Sequence, residues 1–376
     1  MTSNGIELRR VSAASRSRAA ERPRTVQRRA WTWLRVLVAA STGCGQGASG
    51  TPIEDGSVTL DAGDASLDPG DGAADDGASA PRYLERLGSQ DDFERVQGEY
   101  GTVKYWALPD GKEGLPPIVH RCTFQNTELY PGHITFLQSF PELSWIDFTT
   151  YTSLVMYRAN RALWAGELQF FAGAPHPRTG AIGFLGYFIY ADAAPAEALT
   201  PDEIAEVDGR LKECVPYAKD LLVLVGMDAA QRDAFALQTD ALRARGIDVA
   251  PPALKPGFAS ESYALGEGYG ALRLVASGGS AVDFGAHDVV AVDGAADDLP
   301  LVGGLVTQSS QDPSSPLAQR LAAAQIPNAR VADVYASRVL PLFEGKIVHL
   351  TVRDADVLIA PAPRAAAESF WSTHLK

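Results

Sequence analysis

His133 is the side chain best placed to do acid–base chemistry in the first half of the chain. It stands in the run Asn126-Thr127-Glu128-Leu129-Tyr130-Pro131-Gly132-His133-Ile134-Thr135-Phe136, with Glu128 and the later Asp147 as acidic partners. An imidazole becomes a base or a metal ligand only where such partners converge in space, so a packed or capping histidine is the plainer reading of this spacing. In the second half, Ser314 and Ser315 lie close to Asp312, a hydroxyl pair that would need that carboxylate as its activating base. Cys44, Cys122 and Cys214 are the three thiols, and they form no CxxC or Cys/His pattern, so neither a metal nor a cofactor is expected. The patterns HExxH, GxSxG and GxxxxGK[ST] do not occur, which removes the familiar metalloprotease, hydrolase and P-loop chemistries.

The elements that would position these residues begin after an unusual leader. Residues 1–44 hold nine Arg against Glu7 and Glu21, a local charge of +7, so the remainder of a chain of net charge -13 carries -20. An acidic surface of that size repels nucleic acid and anionic headgroups, and no run of 18 apolar residues suggests a spanning helix. The Arg-rich stretch is followed by the apolar run Ala30–Ala40 and then by Ser41-Thr42-Gly43-Cys44. That order is the order of a secretory signal. The small residues before Cys44 resemble the lipobox of bacterial lipoproteins, which implies lipidation of Cys44, a membrane anchor and an exported, cell-envelope location. Residues 45–80 contain eight Asp or Glu and no Lys or Arg, a composition that cannot bury enough apolar surface to fold and reads as a disordered tether.

Residues 82–250 read as an α+β domain. Thr102–Leu108 and Ile118–Phe124 are β-branched and aromatic runs around an Asp110-Gly111 turn, and Thr152–Tyr157, Ala162–Phe171 and Ala181–Tyr190 have the same character, so an antiparallel sheet is expected. Thr200-Pro201-Asp202-Glu203 then supplies an N-cap, a first-turn proline and an N3 carboxylate for a helix ending near Cys214. Leu221–Val225 is a short buried strand, and a second helix is predicted from about Asp228 to Arg245, with Gly246 ending it. Cys122 and Cys214 remain after the anchor. A disulfide and two separate buried thiols satisfy the sequence equally.

Pro251-Pro252 and Lys255-Pro256-Gly257 mark a boundary, beyond which 255–371 reads as an α/β domain. Strands are predicted at Gly268–Val275, Asp288–Val292, Gly303–Thr307, Lys346–Val352 and Val357–Ile359, with a helix at Pro316–Ala324. The ordered landmarks Asp288-Val289-Val290, Asp298-Leu299-Pro300, Gly303-Gly304-Leu305-Val306-Thr307, Ile326-Pro327-Asn328 and Gly345-Lys346-Ile347-Val348 resemble the swivelling phosphohistidine domain of phosphoenolpyruvate synthase and pyruvate phosphate dikinase. The run Asn126–Phe136 similarly resembles the leader region of exported bacterial proteins that carry this domain. In the ungapped register Pro316 occupies the position of the family's phosphoacceptor histidine, and in a shifted register Gln319 does.

The resemblance therefore implies a degenerate phosphoacceptor region at Ser314, Ser315, Pro316 and Gln319, and a tethered protein that does not catalyse. Residues after Phe370-Trp371-Ser372 leave no room for the family's nucleotide-binding domain or pyruvate-binding barrel. The alternative is a phosphotransferase component completed by a separate ATP-grasp chain, moving a phosphoryl group between ATP and pyruvate. His287 and His349 lie beside or on predicted strands and read as structural.

Overall fold

The computed structural model describes residues 80–98, 101–109, 121–192, 194, 196–276, 284–294 and 299–375. The leader with Cys44, the tether through residue 79, the Asp110-Gly111 turn, residues 118–120 and Asp298 lie outside the described residues. Within them the protein is mixed α/β with two sheets.

The first sheet comprises β1 (Tyr83–Leu84), β2 (Thr102–Ala107), β3 (Cys122–Gln125), β4 (Trp164–Pro175), β5 (Ile182–Ile189) and β6 (Leu222–Leu224), in the order β1-β3-β2-β4-β5-β6. Its pairs are antiparallel except β5 with β6, as the hydrophobic runs predicted for the main strands. Alternation in β2 sends Val103, Tyr105 and Ala107 into one core and Trp106 into a second core on the opposite face. The first core is closed by α4 (Pro201–Cys214), which buries Ile204, Val207 and Leu211. Its start is the predicted capping box: Thr200 accepts from the Glu203 backbone N–H, Glu203 accepts from that of Thr200, and Pro201 begins the helix.

The second core is closed by α2 (His133–Gln138), a short 3-10 turn at Pro141–Leu143 and α3 (Phe148–Met156). Here one prediction fails. Thr152–Tyr157 is not a strand, because Asp147 caps a helix through the Thr150 backbone N–H and the buried pair Tyr151 and Val155 sits one turn apart. The predicted helix over Asp228–Arg245 is likewise two pieces, α5 (Ala229–Leu237) and α6 (Thr239–Arg243), broken at Gln238 with φ -102° and ψ 2°. An earlier short helix, α1 (Gln90–Val96), is capped by Ser89 and Asp92.

Cys122 on β3 and Cys214 at the end of α4 are joined by a disulfide across 92 residues, with Cα atoms 6.4 Å apart. This settles the alternative left open by the sequence.

The second sheet runs β7-β14-β13-β9-β10-β11-β12-β8. Its strands are β7 (Phe258–Ala259), β8 (Glu261–Ala264), β9 (Gly266–Val275), β10 (Asp288–Val292), β11 (Gly304–Thr307), β12 (Asn328–Arg330), β13 (Ile347–Arg353) and β14 (Asp356–Pro361). Strands β9 to β12 are parallel and the flanking strands antiparallel. Between β11 and β12 the chain forms α7 (Pro316–Ala323), whose Leu317 and Leu321 pack with Val290, Val292 and Leu305. A last helix, α8 (Arg364–His374), lies along β9 and β13, with Trp371 Nε1 donating to the Tyr269 carbonyl at 2.9 Å.

The two sheets share one core. Phe170 of β4 sits 4.9 Å from the Phe93 ring and 5.1 Å from that of Phe343. Ser337 Oγ donates to the Ala172 carbonyl at 2.7 Å, and Arg338 N donates to that of Ile182 at 2.7 Å. Gly173 lets β4 approach the backbone of Gly257 and Phe258 so closely that a Cβ there would collide with it.

Candidate functional site

Four of the five landmarks that carry the family resemblance fall on successive strands, the one with Leu299-Pro300 being the exception. Asp288-Val289-Val290 is in β10, Gly304–Thr307 is β11, Asn328 opens β12 and Ile347-Val348 opens β13, with α7 between β11 and β12. At the start of α7 each residue has a local task. Ser315 is the N-cap and its Oγ accepts from Ala318 N at 3.2 Å, Pro316 is the first helical residue, and Gln319 Nε2 donates to the Ser314 carbonyl at 3.2 Å. Ser314 Oγ donates to Asp312 Oδ1 at 2.7 Å. The hydrogen bonds from the Ser314 hydroxyl and backbone N–H hold the Asp312 carboxyl below its usual range, which makes it a poor base for activating that hydroxyl.

His349 is on β13, separated from β11 by β9 and β10, where its ring stacks on Tyr269 at 4.2 Å and Nε2 faces Glu267 at 3.4 Å. Burial lowers its pKa against the opposing pull of Glu267. His287 packs against Trp371 at 4.3 Å. Neither ring is brought to α7 by these contacts.

His133 occupies a different kind of place. It is the first residue of α2, only 6% exposed, and walled by Trp106 at 4.5 Å, Tyr190 at 5.1 Å and Tyr151 at 6.1 Å. Neither of the predicted acidic partners reaches it: neither ring nitrogen has a hydrogen-bond partner among the described residues, and Asp147 is spent capping α3. The polar groups actually near it form a row that sequence reasoning missed. Gln125, Lys104 and Glu167 are direct cross-strand neighbours on β3, β2 and β4. Lys104 Nζ lies 3.8 Å from Glu167 Oε1 and donates to the Pro131 carbonyl at 2.5 Å. Glu167 Oε1 also accepts from the Tyr190 hydroxyl at 2.6 Å. Gln125 accepts from Trp106 Nε1 at 3.0 Å and donates to the Tyr130 carbonyl at 2.8 Å.

Gln125, Lys104, Glu167, Trp106 and Tyr190 each have a partner, while Nδ1 and Nε2 of His133 have none among the described residues. Burial, reinforced by the Lys104 charge, pushes the His133 pKa well below the ordinary value. Burial likewise lowers that of Lys104, against the opposing charge of Glu167, and raises those of Tyr151 and Tyr190. At neutral pH the ring is therefore uncharged, with one N–H and one lone pair unused. The sequence signs of this row were Lys104 and Glu167, single charges inside apolar strand runs; the register that sets them beside each other and beside Gln125 is a long-range property.

A third cluster surrounds His176, whose Nδ1 accepts from Arg178 N at 3.3 Å and whose Nε2 is 3.7 Å from Asp248. Next to it a hollow of about 100 Å³ is lined by Arg178, Lys212, Lys219, Asp220 and Asp248. Arg178 is paired with Asp248 at 3.0 Å and Lys212 with Asp208 at 2.6 Å, so these cations are already neutralised. Among the described residues no group of three His, Cys, Asp or Glu could hold a metal ion, and no helix is long and apolar enough to cross a membrane. Compared with protein-family models, with curated proteins and with solved structures, the chain matches none.

Proposed function

We propose that the chain is an exported, membrane-tethered and non-catalytic relative of the phosphoenolpyruvate synthase and pyruvate phosphate dikinase proteins, keeping a swivelling-domain scaffold without its phosphoacceptor. The observation that carries this reading is the start of α7. A phosphoryl relay needs a nucleophile that takes and releases the group at neutral pH. Pro316 and Gln319 offer an amide nitrogen each, Ser315 is the helix cap, and Ser314 is hydrogen-bonded to a carboxylate held below its usual range, a poor base. Four of the family's five landmarks fall in order on β10, β11, β12 and β13, with α7 between β11 and β12, which supports a common scaffold. The Cys122–Cys214 disulfide supports an oxidising compartment, as export through a Cys44-anchored leader would give.

Incubating the full chain with labelled phosphoenolpyruvate, or with labelled ATP, pyruvate and magnesium, tests the reading. No acid-labile label is expected. Acid-labile label mapping to His287 or His349 overturns it, and acid-stable label at Ser314 or Ser315 does so equally, by revealing an acceptor of another type.

A further inference from the structure

We infer that residues 129–156, the cover formed by α2, the 3-10 turn and α3, are an acid-sensitive latch that closes on the first sheet while His133 is neutral and loosens when its ring takes a proton. The inference is independent of the phosphoryl chemistry.

The cover is fastened at few points around this ring. Lys104 and Gln125 reach from the sheet to the carbonyls of Pro131 and Tyr130, which fixes the turn immediately before His133. Elsewhere Arg82 donates to the Tyr130 hydroxyl and to Ser139, Arg161 donates to the carbonyls of Val155 and Met156, and the backbone N–H groups of Ala162 and Asp192 donate to the carbonyls of Leu154 and Met156, while Phe136, Leu137, Phe140, Leu143, Tyr151 and Val155 pack with Trp106 and Tyr190. A neutral imidazole fits such a core at the cost of two unmade hydrogen bonds, a cost that leaves the site already poised.

Protonation adds a second N–H and a full charge with no receiver. From β2 the ring meets Lys104, a like charge. Glu167 on β4 is committed to Lys104 and to Tyr190. Gln125 on β3 is uncharged and engaged with Trp106 and Tyr130. Tyr151 on α3 and Tyr190 after β5 present neutral phenols whose ionisation is pushed up by burial. The first turn of α2 adds the positive end of a short helix. The aromatic walls attract a cation, but more weakly than water solvates one. His176, the other buried histidine among the described residues, differs in facing the Asp248 carboxylate.

The sign follows from linkage. A histidine whose folded pKa is depressed binds fewer protons closed than open, so the closed state is fully favoured above the open-state pKa of about 6.5 and loses ground as pH falls below it. With one proton taken up on opening, the opening constant rises up to about tenfold per pH unit until the closed-state pKa is reached.

Hydrogen exchange by mass spectrometry on the full, disulfide-intact chain at pH 7.5, 6.5, 5.5 and 5.0, corrected for the intrinsic exchange rate, reads this directly. Peptides within 129–156 should gain exchange towards tenfold per unit below about pH 6.5, while those of β9 and β10 stay protected. His133→Leu should flatten the response of 129–156. An unchanged pH response in that variant overturns the latch, as does equal opening of the second sheet. Should the variant not fold, the ring titration of His133 in the wild-type chain decides: a midpoint well below 6.5 supports the latch, and one at or above 6.5 overturns it.

Discussion

At the scale of single residues, Arg161 shows how much one carboxylate can hold. Its side chain is 4% exposed, and its guanidinium lies over the Trp164 ring at 4.8 Å while donating to the carbonyls of Val155 and Met156 at the end of α3. Its charge is matched by Glu203 at 2.9 Å, which also binds Arg158 at 2.8 Å and completes the capping box of α4. Burial pulls the Glu203 pKa up, but the hydrogen bonds from Arg158 and Thr200 overcome it and hold the carboxyl below the usual range. Glu203→Gln should cost about 1–3 kcal/mol, read as a lower urea midpoint, because it leaves a buried guanidinium uncompensated. The carboxylate's contribution is present above the unfolded glutamate pKa of about 4.3 and fades as pH falls through the lower folded value, so variant and wild type should converge in acid. The cap was legible in Thr200-Pro201-Asp202-Glu203, since capping is local. The pairing with Arg161, like the row beneath His133, was not, since it joins segments about forty residues apart.

At the scale of elements, the same limit separates α4 from α3. The first announced itself through cap, proline and apolar period together. The second was read as a strand over Thr152–Tyr157 because Thr152 and Val155 are β-branched and Tyr157 is aromatic, a weak preference that an Asp147 cap and packing against Trp106 override. Strands as short as β7 and β12 carry too few residues for a period, and the parallel order of β9 to β12 is a matter of topology that runs of Val and Leu do not encode. The disulfide acts at this scale by tying β3 to the end of α4, closing a 92-residue loop. Loop-closure entropy assigns such a link about 2–5 kcal/mol, most of it through the unfolded chain. Replacing both Cys122 and Cys214 with Ser should therefore lower the urea midpoint by a corresponding amount, whereas a midpoint within error of the wild type would mean that the open chain is already as restricted as the closed one.

At the scale of the whole molecule, the sequence places a break at Pro251–Gly257, and the chain there is indeed irregular, with Pro251, Pro252, Lys255 and Pro256 exposed. The core does not break with it. The described residues from 80 to 375 belong to one compact unit, and Phe93, Phe170 and Phe343 make a continuous aromatic contact from α1 through β4 into the second half. Lys346, next to β13, is meanwhile ion-paired with Asp91 and Glu94 on α1. A low-specificity protease such as subtilisin should cut between 251 and 256, where backbone is accessible, and the two pieces should then behave unlike separate domains. No covalent link holds them, since the disulfide lies wholly within the first piece, so their cohesion rests on the shared core. Each large aromatic side chain buried there contributes about 1.5–3 kcal/mol, and Phe258 and Phe343 of the second half are both buried in the shared core. The nicked protein should thus elute as a single species under native conditions and separate only in denaturant. Residues 255–371 expressed alone should bind an apolar dye and unfold at a lower urea midpoint than the same strands in the intact chain. A monomeric fragment with an undiminished, cooperative transition would instead make the contact between the sheets a docking of two self-sufficient domains, and the position of Phe170 between Phe93 and Phe343 would then carry little of the stability assigned to it.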